Sequence, residues 1–167
     1  ISTKLQHPKA HMAPTMWAFL LLSWQYGTRF WVADDIRWQQ RFNNFCAAFA
    51  KLEQAVAAHE SMPGNDLIQM ALIKAFEMTF ELSWKTLKDY LQYNGIDVKL
   101  PREVLKQAFA NDIVEDGQVW IDMLEDRNLM AHTYNEARAQ MAVNHIRLRY
   151  MTGLSALHQC LLSKLTT

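Results

Sequence analysis

Asp66-Leu-Ile-Gln-Met-Ala-Leu-Ile-Lys-Ala-Phe-Glu-Met-Thr-Phe-Glu-Leu-Ser-Trp-Lys-Thr-Leu-Lys-Asp-Tyr-Leu-Gln-Tyr93 runs on without a glycine or a proline. Ile73, Phe76, Phe80, Trp84, Leu87 and Leu91 recur at steps of three and four, and Met78 and Leu82 face elsewhere. That spacing predicts a helix, apolar over a wide arc. At about 100° per residue, Lys74, Glu77, Glu81, Lys85, Lys88 and Gln92 share an arc of roughly 80°. A helix with so narrow a polar strip belongs at the centre of a helical bundle. Glu81 and Lys85 stand at i,i+4 in the favourable order. The strip has two readings. One is a solvated, salt-bridged face; the other has Glu77 or Glu81 pairing with an arginine from elsewhere in the bundle.

Punctuation on either side fits this helix. Ser61-Met-Pro-Gly-Asn65 ends the preceding element and offers Asn65 as a cap, and Asn94-Gly95 supplies a stop. Upstream, Trp38, Phe42, Phe45, Phe49, Leu52 and Val56 form an amphipathic stripe, with Asp34-Asp35 placed where a helix start favours negative charge. Downstream, Pro101 opens a short helix with Val104, Leu105, Ala108 and Phe109 inward, and Asn111–Gly117 is a turn. A fourth helix runs from about Gln118 toward His132. The last, over about 135–165, carries Met141, His145, Leu148 and Thr152, then Leu154, Leu157, Leu161 and Leu165. No segment alternates with period two for long enough to be a strand. The expected fold is all-α: an up-and-down four-helix bundle with one extra short helix.

Half the residues are hydrophobic, and only five Gly and four Pro are present, which favours long helices over many short strands. Seventeen basic residues balance seventeen acidic ones, so no global field draws the chain to nucleic acid or membrane. Cys46 and Cys160 each sit in an apolar helical pattern without a CxxC, which points to reduced core thiols and a cytoplasmic setting. The chain divides into an atypical N-terminal extension, 1–33, and a helical-bundle domain, 34–167. The apolar run Met16–Trp24 is far shorter than the roughly 20 residues that span a bilayer. Three readings of 1–33 stay open: an extra helix on the bundle, a translated or appended extension, and a targeting segment.

Chemistry concentrates in Leu124-Glu-Asp-Arg-Asn-Leu-Met-Ala-His-Thr-Tyr-Asn-Glu136. On a helical wheel Arg127 shares a face with Trp120, Met123, Leu124 and Ala131, so it falls within the apolar stripe of the fourth helix. A charge there requires either a carboxylate partner or an interface where an anion binds. His132 lies about 140° further round and off that face. However, Thr133-Tyr-Asn-Glu136 has the form of a capping box, predicting that the fourth helix ends near His132 and another begins at once. His132 and Tyr134 then sit on the turn. A two-fold axis bringing two copies together offers another way to line one cleft with Arg and His. An imidazole can take a proton from a ribose 2′-OH or give one to a leaving oxygen, and an arginine can stabilise charge on phosphorus oxygens. There is no HExxH, Cys/His cluster, Gly-rich phosphate loop or G-x-S-x-G, so no metal site and no cofactor is expected. Arg138, His145, Arg147 and Arg149 are candidates to extend a basic groove for RNA.

Arg127-Asn-Leu-Met-Ala-His132-Thr-Tyr134 has the form R-x4-H-x-Y with a polar residue after the arginine, and it resembles the signature of the HEPN superfamily, in particular its HepT-like toxins. Ala75–Leu91, Pro101–Phe109 and Trp120–Asn128 resemble the branch described as nucleotidyltransferase substrate-binding proteins, and the likeness covers roughly 36–163. The resemblance implies a homodimer working beside a small, separately encoded nucleotidyltransferase, with RNA as a further partner and no membrane association. It implies a metal-independent endoribonuclease toxin with Arg127 and His132 catalytic, and with Tyr134 as the residue to which the partner adds AMP. Asn128 would join Tyr134 in contacting phosphate, and Glu77 and Glu81 would supply a supporting ion pair. The alternative within the same family is a non-catalytic subunit that presents a substrate to the nucleotidyltransferase. A plain helical dimerisation module is the third reading.

Overall fold

The computed structural model describes residues 29–130 and 136–165. Six helical elements follow in order: α1 (Arg29–Ser61), α2 (Asp66–Tyr93), α3 (Pro101–Ala110), α4 (Gly117–Met130), α5 (Glu136–His145) and α6 (Met151–Leu165). A π-helical turn, Ile146–Tyr150, joins α5 to α6, so the last two make one long rod. Among the described residues there is no strand. The architecture is all-α, four long helical rods with the short α3 set between α2 and α4. Residues Asp34–Thr167 form one compact unit.

The core is aromatic and continuous. Trp38, Phe42, Phe45, Phe49 and Leu52 of α1 are each 5% exposed or less. Trp38 meets Tyr90 of α2 edge-on at 5.1 Å, and Phe49 stacks on His158 of α6 at 5.7 Å. Phe76 stacks on Tyr150 at 5.4 Å, and Phe80 lies 6.3 Å from Trp120 of α4. Such pairs add specific geometry to the apolar area they bury. His158 is therefore a half-buried ring packed on the core phenylalanines. Where α4 crosses α6, a Cβ on Gly153 would stand 3.1 Å from Met123 Cε, so the missing side chain permits the close approach.

The caps explain where α2 begins and ends. Asn65 Oδ1 accepts from the N–H groups of Leu67 and Ile68 at 3.1 and 3.3 Å. At the far end Gly95 takes a φ of +82°, and the Ile96 N–H reaches back to the Leu91 carbonyl at 2.9 Å. Asp116 caps α4 by accepting from Gln118 and Val119 N–H at 3.0 and 3.1 Å.

Several sequence expectations need correction. Helix α1 starts at Arg29, so Asp34-Asp35 lies inside it and not in its first turn. Phe109, expected inward, is exposed, with its ring against Gly117, where a Cβ would stand 3.0 Å from it. The buried stripe of the last rod is Val143, Ile146, Tyr150, Leu154, Leu157 and Leu161, whereas Met141 and Leu148 are exposed. The polar side chains of Thr79, Ser83 and Thr86 are wholly buried in α2. Each returns its hydroxyl to a carbonyl one turn back, at 2.7, 2.8 and 2.7 Å, which removes the cost of burial. Asp89 is also buried; Arg41 Nε sits 2.8 Å and Arg37 Nε 3.6 Å from its carboxylate, clamping α1 to α2.

Candidate functional site

Arg127 occupies the last turn of α4 and is held from two sides. Its Nη2 donates to Glu81 Oε2 of α2 at 3.3 Å, and its Nη1 donates to Asn128 Oδ1 at 3.1 Å. Glu81 is the hub: Lys85 Nζ lies 2.7 Å from its Oε1, and Trp84 Nε1 donates to its Oε2 at 3.0 Å. Burial pushes the Glu81 carboxyl upward, but the hydrogen bonds from Lys85 and Trp84 and the charges of Lys85 and Arg127 outweigh it and hold it below the usual carboxylate range. Arg127 stays 36% exposed, because only Trp120 and Met123 of α4 are fully covered and Arg127 lies one turn beyond them, at the helix end. Its place on the wheel had suggested deeper burial.

A guanidinium carries five N–H donors. Among the described residues Arg127 spends two of them, so it keeps donors for an anion. It borders a cavity of about 340 Å³ with Glu81, Trp84, Pro101, Arg102 and Asn128. Glu77 lies elsewhere on the strip, ion-paired with Lys74 at 2.9 Å. The structure thus brings Glu81, Arg127 and Asn128 together and leaves Glu77 apart. His132 and Tyr134 lie outside the described residues; α4 ends at Met130 and α5 begins at Glu136 on either side of them.

A second polar constellation is built on Asp126 and lines a separate cavity, and sequence reasoning missed it. Asp126 Oδ2 lies 2.7 Å from His145 Nδ1 and accepts from the Tyr150 hydroxyl at 2.5 Å. His145 and Tyr150 are five residues apart, about 140° round a regular α-helix. They converge because the turn between them is π-helical: the Met151 N–H bonds to the Ile146 carbonyl, five residues back. Such turns concentrate at functional sites. Burial, followed by the hydrogen bond to Asp126 and its charge, pushes the Tyr150 phenol far above its ordinary range. No periodicity at 100° per residue places these three side chains together.

Two arginines of the last rod are also tied to acids. Arg147 pairs with Glu60 at 3.0 Å, and Arg149 with Asp122 at 2.8 Å. Hydrogen bonds from Gln118, against the effect of burial, and from Arg149 hold Asp122 below the usual range. With His145 on Asp126, three of the four residues suggested for a basic groove are carboxylate-bound. Among the described residues no helix is long and apolar enough to cross a membrane, and no group of His, Cys, Asp and Glu is arranged to hold a metal ion.

Comparison with known proteins places this geometry. Residues 40–163 match the model of the family described as nucleotidyltransferase substrate binding protein like. A Haemophilus influenzae protein named probable ribonuclease HepT is 30% identical over 110 residues, which is 58% of this chain and 75% of the relative. A solved Haemophilus influenzae structure, described as the fold of a substrate binding domain of a nucleotidyltransferase, is similar at a TM-score of 0.62 and 25% identity, over 71% of this chain and 96% of that one. A solved structure from Thermus thermophilus is similar at a TM-score of 0.53 and 28% identity, over 70% and 99% of the two chains. The chain belongs to the nucleotidyltransferase substrate binding protein like family, with a HepT-like protein among its relatives.

Proposed function

We propose that the 34–167 domain is a HepT-like, metal-independent endoribonuclease, the toxin of a toxin–antitoxin pair, working as a homodimer beside a separately encoded small nucleotidyltransferase. The observation that carries this reading is the setting of Arg127. It is a half-exposed guanidinium anchored by Glu81 and Asn128, with donors to spare, at the helix end from which the chain runs on to His132. Arg127 binds the scissile phosphate and stabilises the charge that gathers on it, and His132 takes the 2′-OH proton. Tyr134 accepts AMP from the nucleotidyltransferase, and the added bulk and negative charge silence the nuclease. The likeness to a probable ribonuclease HepT supports this assignment.

Purified protein should cleave RNA in EDTA, and His132→Ala should not; equal cleavage by His132→Ala would remove the mechanism. With the nucleotidyltransferase and labelled ATP, label should enter the wild type and be absent from Tyr134→Phe. The family description and the substrate binding domain fold favour a second reading, a non-catalytic subunit that presents a substrate to the transferase. Under it, RNA stays intact while nucleotide addition by the partner depends on this chain.

A further inference from the structure

Arg127 shares its cavity with an aromatic ring to which the phosphate reading gives no role. Other tryptophans of the bundle are engaged: Trp38 meets Tyr90 at 5.1 Å, and Trp120 meets Phe80 at 6.3 Å. Trp84 differs from them. It is half-buried, borders the cavity of about 340 Å³, and has no aromatic ring packed on it among the described residues. We propose that this cavity holds one nucleotide unit, with its phosphate on Arg127 and its base against the Trp84 ring. The inference rests on Arg127 as a phosphate ligand and names what that reading leaves open, the group that fills the rest of the cavity.

Three observations carry it. The first is juxtaposition: Trp84 Nε1 donates to Glu81 Oε2 at 3.0 Å, and Arg127 Nη2 donates to the same oxygen at 3.3 Å. The indole edge and the guanidinium therefore stand side by side, both fixed by one carboxylate. A ribose joins a phosphate to its base over a comparably short span. A ligand with an anionic head and a flat body can thus meet the two side chains at once, on a ring that needs little further ordering.

The second observation is the wall. Phe80, Leu100, Pro101 and Leu124 line the cavity beside Trp84, and Leu100 keeps 60% of its surface exposed. A largely apolar hollow with a few placed polar groups is the form of a small-ligand site, and this volume is large enough for one. A bare phosphate would use none of that apolar surface. The third is a free ring surface. Lys85 Nζ stands over the Trp84 ring at 5.8 Å, but Lys85 does not border the cavity, so the ring surface on the cavity side is left uncovered by it. Bases of single-stranded RNA are held on such rings, and every base has a π-face to offer.

The test titrates the full chain calorimetrically with adenosine 5′-monophosphate and with ribose 5-phosphate, which lacks the base. The nucleotide should bind about 5- to 150-fold more tightly, the range for one base on one aromatic ring. Trp84→Leu, apolar but without a flat ring, should erase that margin, and Trp84→Phe, which restores a ring without the N–H, should keep most of it. Arg127→Gln should weaken both ligands alike. Equal affinity for the two ligands, binding of neither, or a margin that survives Trp84→Leu would overturn the assignment of the base. Unchanged affinities in Arg127→Gln would instead remove the phosphate reading beneath it. An oligoribonucleotide that displaces the bound nucleotide marks a unit of RNA as the occupant; failure to displace it marks a free nucleotide. No arm requires cleavage, so a protein inert on RNA would remove the nuclease reading alone. Thermal melting of each variant separates a lost contact from a lost fold.

Discussion

Tyr150→Phe isolates the energetics of the Asp126 network. The substitution keeps the ring, and with it the 5.4 Å stack on Phe76 and the burial, and deletes only the hydroxyl that donates to Asp126 at 2.5 Å. A hydrogen bond to a charged acceptor contributes about 1.5–3 kcal/mol. Asp126 retains His145 and is partly open to water, so the lower half of that range applies, roughly 1.5–2 kcal/mol. For a unit of about 130 residues the unfolding entropy is near 0.28 kcal/mol/K, which converts the loss to a fall in Tm of about 5–7 °C. A second arm uses pH. Because the folded-state pKa of Tyr150 is raised, the folded protein keeps a proton that the unfolded chain releases above a pH of about 10. The resulting stability is fully present below that pH and is lost as pH rises, at up to about 1.4 kcal/mol per unit. The advantage of wild type over Tyr150→Phe should thus be constant from pH 7 to 9 and shrink above 10. Scanning calorimetry at one fixed protein concentration reads both arms. A Tm within 1–2 °C of wild type at neutral pH would refute the reasoning, as would a gap that ignores alkaline pH.

Two other outcomes follow from the packing and the site. Arg127→Lys should lower RNA cleavage by about a hundredfold or more, since an ammonium cannot reproduce the forked contact to phosphate. Its stability should change by no more than about 1 kcal/mol, because the Glu81 pair is half-exposed; a large drop in melting temperature would recast Arg127 as structural. Trp120→Ala removes a core ring that touches Phe80 and should cost about 3–5 kcal/mol in urea unfolding, whereas Leu148→Ala, on the exposed face, should cost under about 0.5.

Much of the fold was legible because apolar residues repeat at three and four. The α1 stripe from Trp38 to Leu52 is buried throughout, and the caps at Asn65 and Gly95 form by local bonds that any context would allow. What periodicity misjudged was polarity. Thr79, Ser83 and Thr86 belong to neither the apolar side nor the polar strip read from the sequence, and each satisfies itself within its own helix, so no distant partner marks it. In the last rod the stripe through Met141 and Leu148 was misplaced, and the π turn between His145 and Tyr150 is a local widening that no constant angle anticipates. Arg127 was found by its chemistry, and Glu81 was one of two carboxylates in view; only the tertiary pairing of α2 with α4 separates it from Glu77.

The π turn also makes chain length at this point a heritable quantity. One widened turn in an α-helix is equivalent to a single inserted residue, and a single deletion can undo it while leaving a normal helix. Among homologous chains such a deletion would pass unnoticed in the R-x4-H-x-Y segment, which lies upstream and would be intact. It would nonetheless swing the positions of His145 and Tyr150 apart. Homologues can therefore be sorted by counting residues from the arginine to the two ring-bearing positions, and the count divides those that retain the shared carboxylate from those that have lost it.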